Sequence, residues 1–151
     1  MKSGLPEHAM TITAVEKRKP SGTVAWRWLA GGLAVGFGIA TLVEGGHVLF
    51  GGPAAQAEAG NVVPFVLLFN FGAGFAYILG GMATVTRRAW AAWVARGVAV
   101  ATVVVFAAFG VHVLQGGTYE LRTVVAMSLR SAFWVAQALL VPALLRGGRT
   151  T

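Results

Sequence analysis

The chain contains no cysteine, and only 11% of its 151 residues are charged. The absence of cysteine excludes disulfides, thiolate metal sites and cysteine nucleophiles. The scarcity of charge is unusual for a soluble domain, in which about a quarter of the residues carry charged side chains. Hydrophobic residues make up 56% of the sequence, so the composition favours a protein whose surface faces lipid.

Four long apolar runs take up most of the chain. A helix of about 20 apolar residues is long enough to cross a bilayer. We therefore predict an all-α membrane protein with one four-helix transmembrane bundle at 24–146, whose spans lie at 24–50, 62–85, 89–114 and 123–145. Residues 1–23 are predicted to form a disordered basic tail, residues 147–151 a second tail, and residues 51–61 a loop.

The distribution of basic residues predicts the orientation of the spans. Ten of the twelve Lys and Arg residues precede or enter span 1, join spans 2 and 3, or follow span 4. Only Arg122 and Arg130 lie toward the other end. Because basic residues concentrate on the cytoplasmic side, we expect both termini in the cytoplasm of a bacterial-type cell, with the protein in the inner membrane. The net charge of +7 is thus a topological signal, and no nucleic-acid partner is expected.

An internal repeat relates the two halves of the chain. Residues 32–52 align with residues 97–117, and the hexapeptides HVLFGG and HVLQGG coincide in this alignment, at His47 and His112. The pattern predicts two tandem helical hairpins. Since both hairpins run in the same direction, we expect them to be related by a pseudo-two-fold axis along the membrane normal.

Each span contributes a polar residue to the half of the membrane that faces outward. With a rise of 1.5 Å per residue, the two histidines are expected roughly 5 Å below the outer surface. Glu44, Asn70 and Arg130 are expected roughly 9–12 Å below it. A buried charge without a partner is costly in a membrane, so we predict an ion pair between Glu44 and Arg130. The predicted outer polar layer consists of Glu44, His47, Asn70, His112 and Arg130, and Gln137 lies deeper.

Small residues recur every four positions in the first three spans. Gly32, Gly36 and Ala40 lead to Glu44 along span 1, and comparable rows start at Gly72 in span 2 and at Gly97 in span 3. Small residues at this spacing let helices approach closely in lipid. These faces are therefore expected to point into the bundle.

The two histidines have two interpretations. In the first, His47 and His112 bind a haem iron axially, or bind a metal ion together with Glu44. In the second, they cap or hydrogen-bond the outer ends of their helices near the lipid headgroups. The position equivalent to Glu44 in the repeat is Phe109, which argues against a two-metal centre. No arrangement typical of a catalytic site is found, so an enzymatic role is not expected.

One segment resembles a known group of proteins. The sequence FNFGAGFAYILGGMATVTRRAWAAWVA, at 69–95, joins a span rich in small residues to a basic turn and an aromatic-rich entry into the next span. With the histidine at the outer end of span 3, it resembles the DoxX-like small bacterial four-helix membrane proteins. The resemblance covers spans 2 and 3. It implies a four-helix architecture and diverse functions, which include accessory roles in membrane redox systems, and it assigns no catalytic residue.

These observations predict a small, non-enzymatic integral membrane protein. Its outer polar layer is expected to stabilise the bundle and to bind a partner or a small ligand, the partner being another membrane protein or a second copy of the chain. The alternative is a redox-accessory protein that holds haem b or a metal ion on His47 and His112.

Overall fold

The computed structural model describes residues 22–146, which form five helices and no strand within that range. The helices are α1 (Gly22–Phe50), α2 (Gly52–Ala59), α3 (Pro64–Val85), α4 (Ala91–Leu114) and α5 (Leu121–Arg146). Four of them, α1, α3, α4 and α5, are long and apolar enough to cross a membrane. The predicted all-α class is therefore confirmed, as is the presence of four helices with the length and composition of membrane spans. The predicted disorder of the tails concerns residues that lie outside the described range, except for residues 22 and 23, which begin α1.

The connection predicted as a loop at 51–61 contains a helix instead. Pro53 stands in the first turn of α2, where its missing N–H costs no hydrogen bond. Gly52 and Gly60, at the two ends, adopt positive φ angles of 77° and 70°, which glycine tolerates better than other residues. Between them, alanines and a glutamate favour helix. The segment has eight residues, so no long apolar run marks it in the sequence.

The four long helices are arranged in a ring. α1 packs against α3, α3 against α4, α4 against α5, and α5 closes the ring against α1. The closest pairs are α1 with α3 and α4 with α5, which are the two hairpins formed by consecutive spans. α1 and α4 therefore lie diagonally across the bundle from each other.

Glycines bring α1 and α3 into close contact. A Cβ atom added to Gly81 would lie 2.6 Å from the carbonyl oxygen of Gly31, and one added to Gly38 would lie 2.8 Å from the carbonyl oxygen of Gly74. The contacting glycines are spaced seven residues apart on each helix. Small residues at such a contact allow the two backbones to touch, which is a common way of joining helices in lipid.

The rows of small residues spaced by four were expected to point into the bundle, and the structure bears this out only for part of the row on α3, where Gly80 is buried and Ala76 packs against the apolar core. A Cβ added to Gly32, Gly36, Gly72 or Gly97 would meet no atom within 4 Å. The buried face of α1 instead runs through Ala30, Gly31, Ala34, Gly38, Thr41 and Gly45. For α1 the prediction was wrong because the helix carries small residues on more than one face.

The apolar interior has two parts. Near the start of α3, the end of α4 and the start of α5, Val63, Val66, Phe109 and Met127 are buried together. The larger cluster fills the rest of the bundle and is centred on Trp134, whose ring centroid lies 4.6 Å from that of Tyr77. Both side chains are essentially inaccessible.

Tryptophans mark the opposite end of the bundle. The side chains of Trp26, Trp28, Trp90 and Trp93 are all exposed, at the beginnings of α1 and α4. Exposed tryptophans at one end of a bundle are typical of an aromatic belt at a membrane–water interface.

Candidate functional site

A cavity of about 290 Å³ lies at the end of the bundle where α1 ends and α3 and α5 begin. Residues of α1, α2, α3 and α5 line it. Its volume is at the lower end of the range for small-molecule sites, about 300–1,000 Å³. Eight polar or charged residues line it: Thr41, Glu44, His47, Glu58, Asn70, Arg122, Thr123 and Arg130.

Arg130 lies among the deepest residues of the cavity. Only 7% of its surface is exposed. Its Nη2 atom donates a hydrogen bond to Thr41 Oγ1 over 3.3 Å, and its guanidinium carbon lies 5.6 Å from the centre of the Phe37 ring. The Nε atom is buried and has no hydrogen-bond partner. Arg130 therefore brings a positive charge to this cavity that a hydroxyl and an aromatic ring compensate only in part.

Asn70 faces the same cavity from α3 with a second unsatisfied group. It is 9% exposed, and its Nδ2 atom lies 3.6 Å from the sulfur of Met127, which is a weak acceptor. Its Oδ1 atom is buried without a partner. Buried polar groups are hydrogen-bonded in the great majority of cases, so an unsatisfied donor and an unsatisfied acceptor in one cavity indicate a site for a ligand or water.

The rim of the cavity carries the acidic residues and one histidine. Glu44, His47 and Glu58 line the cavity and are exposed. The ion pair predicted between Glu44 and Arg130 is not formed in this structure, because Arg130 contacts Thr41 and no carboxylate within the described part of the chain lies in salt-bridge range of it. Glu44 and Arg130 nevertheless line the same cavity, so they do not lie on opposite faces of the bundle.

Two residues beside the N-terminus of α5 hold α2 in place over the cavity. Arg122 Nη2 donates hydrogen bonds to the carbonyl oxygens of Glu58, over 3.2 Å, and of Ala59, at the C-terminal end of α2. A cation there also interacts favourably with the helix dipole. Glu120 Oε1 accepts hydrogen bonds from the backbone N–H and the side-chain amide of Asn61, over 2.8 and 3.1 Å.

These contacts lower the pKa of Glu120 from its usual value of 4.5. The backbone N–H of Asn61 is the main cause, followed by its side-chain amide, because both donate to the charged form of the carboxylate. The nearby charge of Arg122 adds to the effect. We call Glu120, Arg122 and Asn61, with the end of α2 that they hold, the α2 clamp.

His112 lies outside the cavity. It is half-buried near the end of α4, where its Nε2 atom lies 3.2 Å from the carbonyl oxygen of Thr118 and its ring stands edge-on to Phe65. The structure thus brings Glu44, His47, Asn70 and Arg130 to one cavity and places His112 elsewhere. Among the described residues, no group of three or more His, Cys, Asp or Glu side chains is placed to hold a metal ion.

Gln137 lies in the other half of the bundle. It is 4% exposed, and its Nε2 atom donates a hydrogen bond to the carbonyl oxygen of Ala30 over 2.8 Å. This bond joins α5 to α1, as does the contact between Arg130 and Thr41 on the side of the cavity.

Some polar residues of the interior were missed in the sequence. The hydroxyl groups of Tyr77 and Thr102 and the indole N–H of Trp134 are buried, and Thr102 and Trp134 both approach the Tyr77 hydroxyl. Tyr77 follows Asn70 by seven residues, and this spacing was a signal that both share one face of α3. No comparable spacing pointed to Arg122 and Glu58 of the cavity, because these residues lie at the ends of helices.

Comparison of the chain with family models, with curated proteins and with solved structures finds no match. What the chain does is accordingly inferred from its cavity and from the charges around it.

Proposed function

We propose that the chain is a non-enzymatic, multi-pass protein of a bacterial-type inner membrane whose outer cavity binds a small polar ligand. Four apolar helices and the concentration of basic residues on one side support this location, with both termini in the cytoplasm. The observation that carries the binding role is Arg130, a buried arginine that lines a cavity and has no carboxylate partner among residues 22–146.

The depth of Arg130 makes its charge costly. It follows Leu121, the first residue of α5, by nine positions, which corresponds to about 13 Å along the helix in a hydrocarbon core about 30 Å thick. Insertion measurements place the cost of an arginine at the centre of a membrane helix near 2.5–3.5 kcal/mol. Ionisable residues at such depths mark ligand or ion sites by default, and a bound polar ligand would offset this cost.

The same polar residues also hold the bundle together in this proposal. The bonds from Arg130 to Thr41 and from Gln137 to Ala30 both connect α5 with α1. A hydrogen bond between transmembrane helices contributes about 0.6 kcal/mol on average. Because each bond contributes so little, the two bonds are compatible with an open cavity between α1 and α5.

Haem or metal binding by His47 and His112 together has no comparable support. His112 is outside the cavity, and the carbonyl oxygen of Thr118 already lies within hydrogen-bond distance of its Nε2 atom. The segment at 69–95 supports the proposal that the chain is related to the DoxX-like proteins. The repeated hexapeptides support the proposal that a two-fold axis relates the two hairpins.

The location is tested with single cysteines, which the cysteine-free chain makes unambiguous. Ala126→Cys places a thiol in the cavity wall, and Val125→Cys places one on the neighbouring exposed, lipid-facing surface of α5. A membrane-impermeant thiol reagent added outside intact spheroplasts should label Cys at 126 and leave Cys at 125 unlabelled. Thr151→Cys should react only after permeabilisation. Labelling of Thr151→Cys in intact spheroplasts would contradict the proposed orientation.

Binding is tested by native mass spectrometry of the protein purified in mild detergent. We expect a small-molecule adduct that is lost in Arg130→Met, whose folding is checked by its melting temperature. A preparation without an adduct, in which no polar small molecule slows the labelling of Ala126→Cys, would refute the binding role.

A further inference from the structure

The cavity separates its charges along the bundle axis. Arg130 is buried and lies level with Thr41, with which it shares a hydrogen bond. Glu44 follows Thr41 by three residues on α1, so it stands about 4.5 Å closer to the outer end, and it is exposed. A positive charge therefore lies inside the cavity, with a negative charge nearer to its mouth.

The acidic groups at the mouth are not neutralised by neighbouring basic side chains. Neither Glu44 nor Glu58 takes part in an ion pair within the part of the chain that the structure describes. Arg122, the second arginine of the cavity, is held by the carbonyl oxygens of Glu58 and Ala59, so the mouth carries two carboxylates and one guanidinium and its net charge is negative. A ligand that carried only negative charge would have to pass two carboxylates to reach Arg130, and like charges at short range repel.

The unsatisfied groups near Arg130 specify one end of the ligand. Arg130 offers donors and a positive charge, which an anionic oxygen group such as a phosphate or a carboxylate accepts best. Asn70 offers its unsatisfied Oδ1 atom as an acceptor, which a hydroxyl or an N–H of the ligand can fill. Apolar residues, among them Val63 and Val66, form another part of the cavity wall.

We infer that the ligand of this cavity is a small zwitterion, with its anionic group at Arg130 and its cationic group toward Glu44 and Glu58. The inference rests on the proposed binding function and narrows it to one class of ligand. Phosphoethanolamine has this chemistry, and it exists both as a free small molecule and as a lipid headgroup. In either form, its two charges match the polarity of the cavity and neutralise both ends of it.

The test compares one probe that carries both charged groups with two probes that each carry one of them. The purified protein is titrated with O-phosphoethanolamine, inorganic phosphate and ethanolamine, and binding is measured by calorimetry and by protection of Ala126→Cys from the thiol reagent. Because a hydrogen bond to a charged group contributes about 1.5–3 kcal/mol, we expect the zwitterion to bind at least about tenfold more tightly than phosphate. Glu44→Gln should shrink this ratio, and Arg130→Met should abolish binding of the zwitterion.

A second arm identifies the source of the zwitterion. The protein is placed in nanodiscs that contain either phosphatidylethanolamine or phosphatidylglycerol, and the labelling of Ala126→Cys is followed. Protection by phosphatidylethanolamine alone identifies a lipid headgroup, and protection by free O-phosphoethanolamine in phosphatidylglycerol nanodiscs identifies a soluble ligand. Both results support the inference.

Three results overturn it. If phosphate binds as tightly as O-phosphoethanolamine, the ligand is a simple anion. If Glu44→Gln leaves the ratio of their affinities unchanged, the cationic group does not lie at Glu44. In both cases the proposed binding function stands. If neither the free zwitterion nor the lipid protects the cysteine, the zwitterion is excluded. The proposed binding function then falls as well only if the native protein also carries no adduct.

Discussion

Substituting one glycine of the contact between α1 and α3 should destabilise the protein, whereas a matched substitution on the outer face should not. In Gly81→Ala, the new Cβ would lie 2.6 Å from the carbonyl oxygen of Gly31 and 2.9 Å from the backbone nitrogen of Val35. Both are backbone atoms, which cannot rotate out of the way. The two helices would have to move apart, and the contacts along their whole interface would loosen.

The size of the effect follows from two opposing terms. Overpacking of a close contact costs about 1–3 kcal/mol. Replacing glycine by alanine inside a helix contributes a gain of roughly 0.8–1 kcal/mol. Gly36→Ala gains the same helix stability without the overpacking cost, since its Cβ would meet no atom within 4 Å. The difference between the two variants therefore isolates the packing term, and we expect Gly81→Ala to be less stable than Gly36→Ala by about 1–3 kcal/mol.

The assay is equilibrium unfolding of both variants and the unmodified chain in the same detergent, followed by circular dichroism or tryptophan fluorescence. Gly36→Ala should match or slightly exceed the unmodified chain. Equal stability of Gly81→Ala and Gly36→Ala would refute the close backbone contact between α1 and α3.

Three further predictions concern polar groups. Arg130→Met should raise the free energy of unfolding of the ligand-free protein by about 1–3 kcal/mol in chemical denaturation, because it removes an uncompensated buried charge; a lower stability would reveal a partner such as Glu44. Tyr77→Phe should lower the free energy of unfolding by about 0.5–1.5 kcal/mol, since it removes the hydroxyl that Thr102 and Trp134 approach; unchanged stability would contradict this contact. The depressed pKa of Glu120 stabilises the fold above the carboxyl's unfolded pKa, near 4.5, and this contribution is lost as the pH falls below it. Melting temperatures between pH 6 and 3.5 should therefore fall more steeply for the unmodified chain than for Glu120→Gln, and parallel curves would argue against the α2 clamp.

The four spans were predictable because each is a long apolar run that composition alone reveals. The short helix α2 was not, because its eight residues carry no apolar run and the side chains that hold its C-terminal end, Glu120 and Arg122, are distant in the sequence. Contacts of this kind are invisible to periodicity.

The buried face of α1 could not be chosen from the sequence for a different physical reason. Lipid tails are as apolar as a protein interior, so hydrophobicity does not distinguish the two sides of a membrane helix. α1 offers small residues both at Gly32 and Gly36 and at Gly31 and Gly38, and only the second set meets α3. The geometry of the partner helix decided between them.

The residues of the cavity were partly predictable because charge is rare in this chain. Glu44, Asn70 and Arg130 stood out in apolar runs, and the structure places all three in one cavity. Their exact partners depend on side-chain geometry: Arg130 contacts Thr41 and not Glu44. His112 was grouped with His47 by the repeat, yet α1 and α4 lie diagonally across the bundle.

The α2 clamp has a consequence for how the protein is made. α2 lies between the first two spans and is synthesised early, but the groups that satisfy its last carbonyls and the Asn61 amide come from Arg122 and Glu120, at the start of the last span. Arg130 also belongs to α5, so it is synthesised after the other helices. During synthesis α2 therefore stays unanchored after the first hairpin has been made. The cavity is complete only when α5 packs against α1.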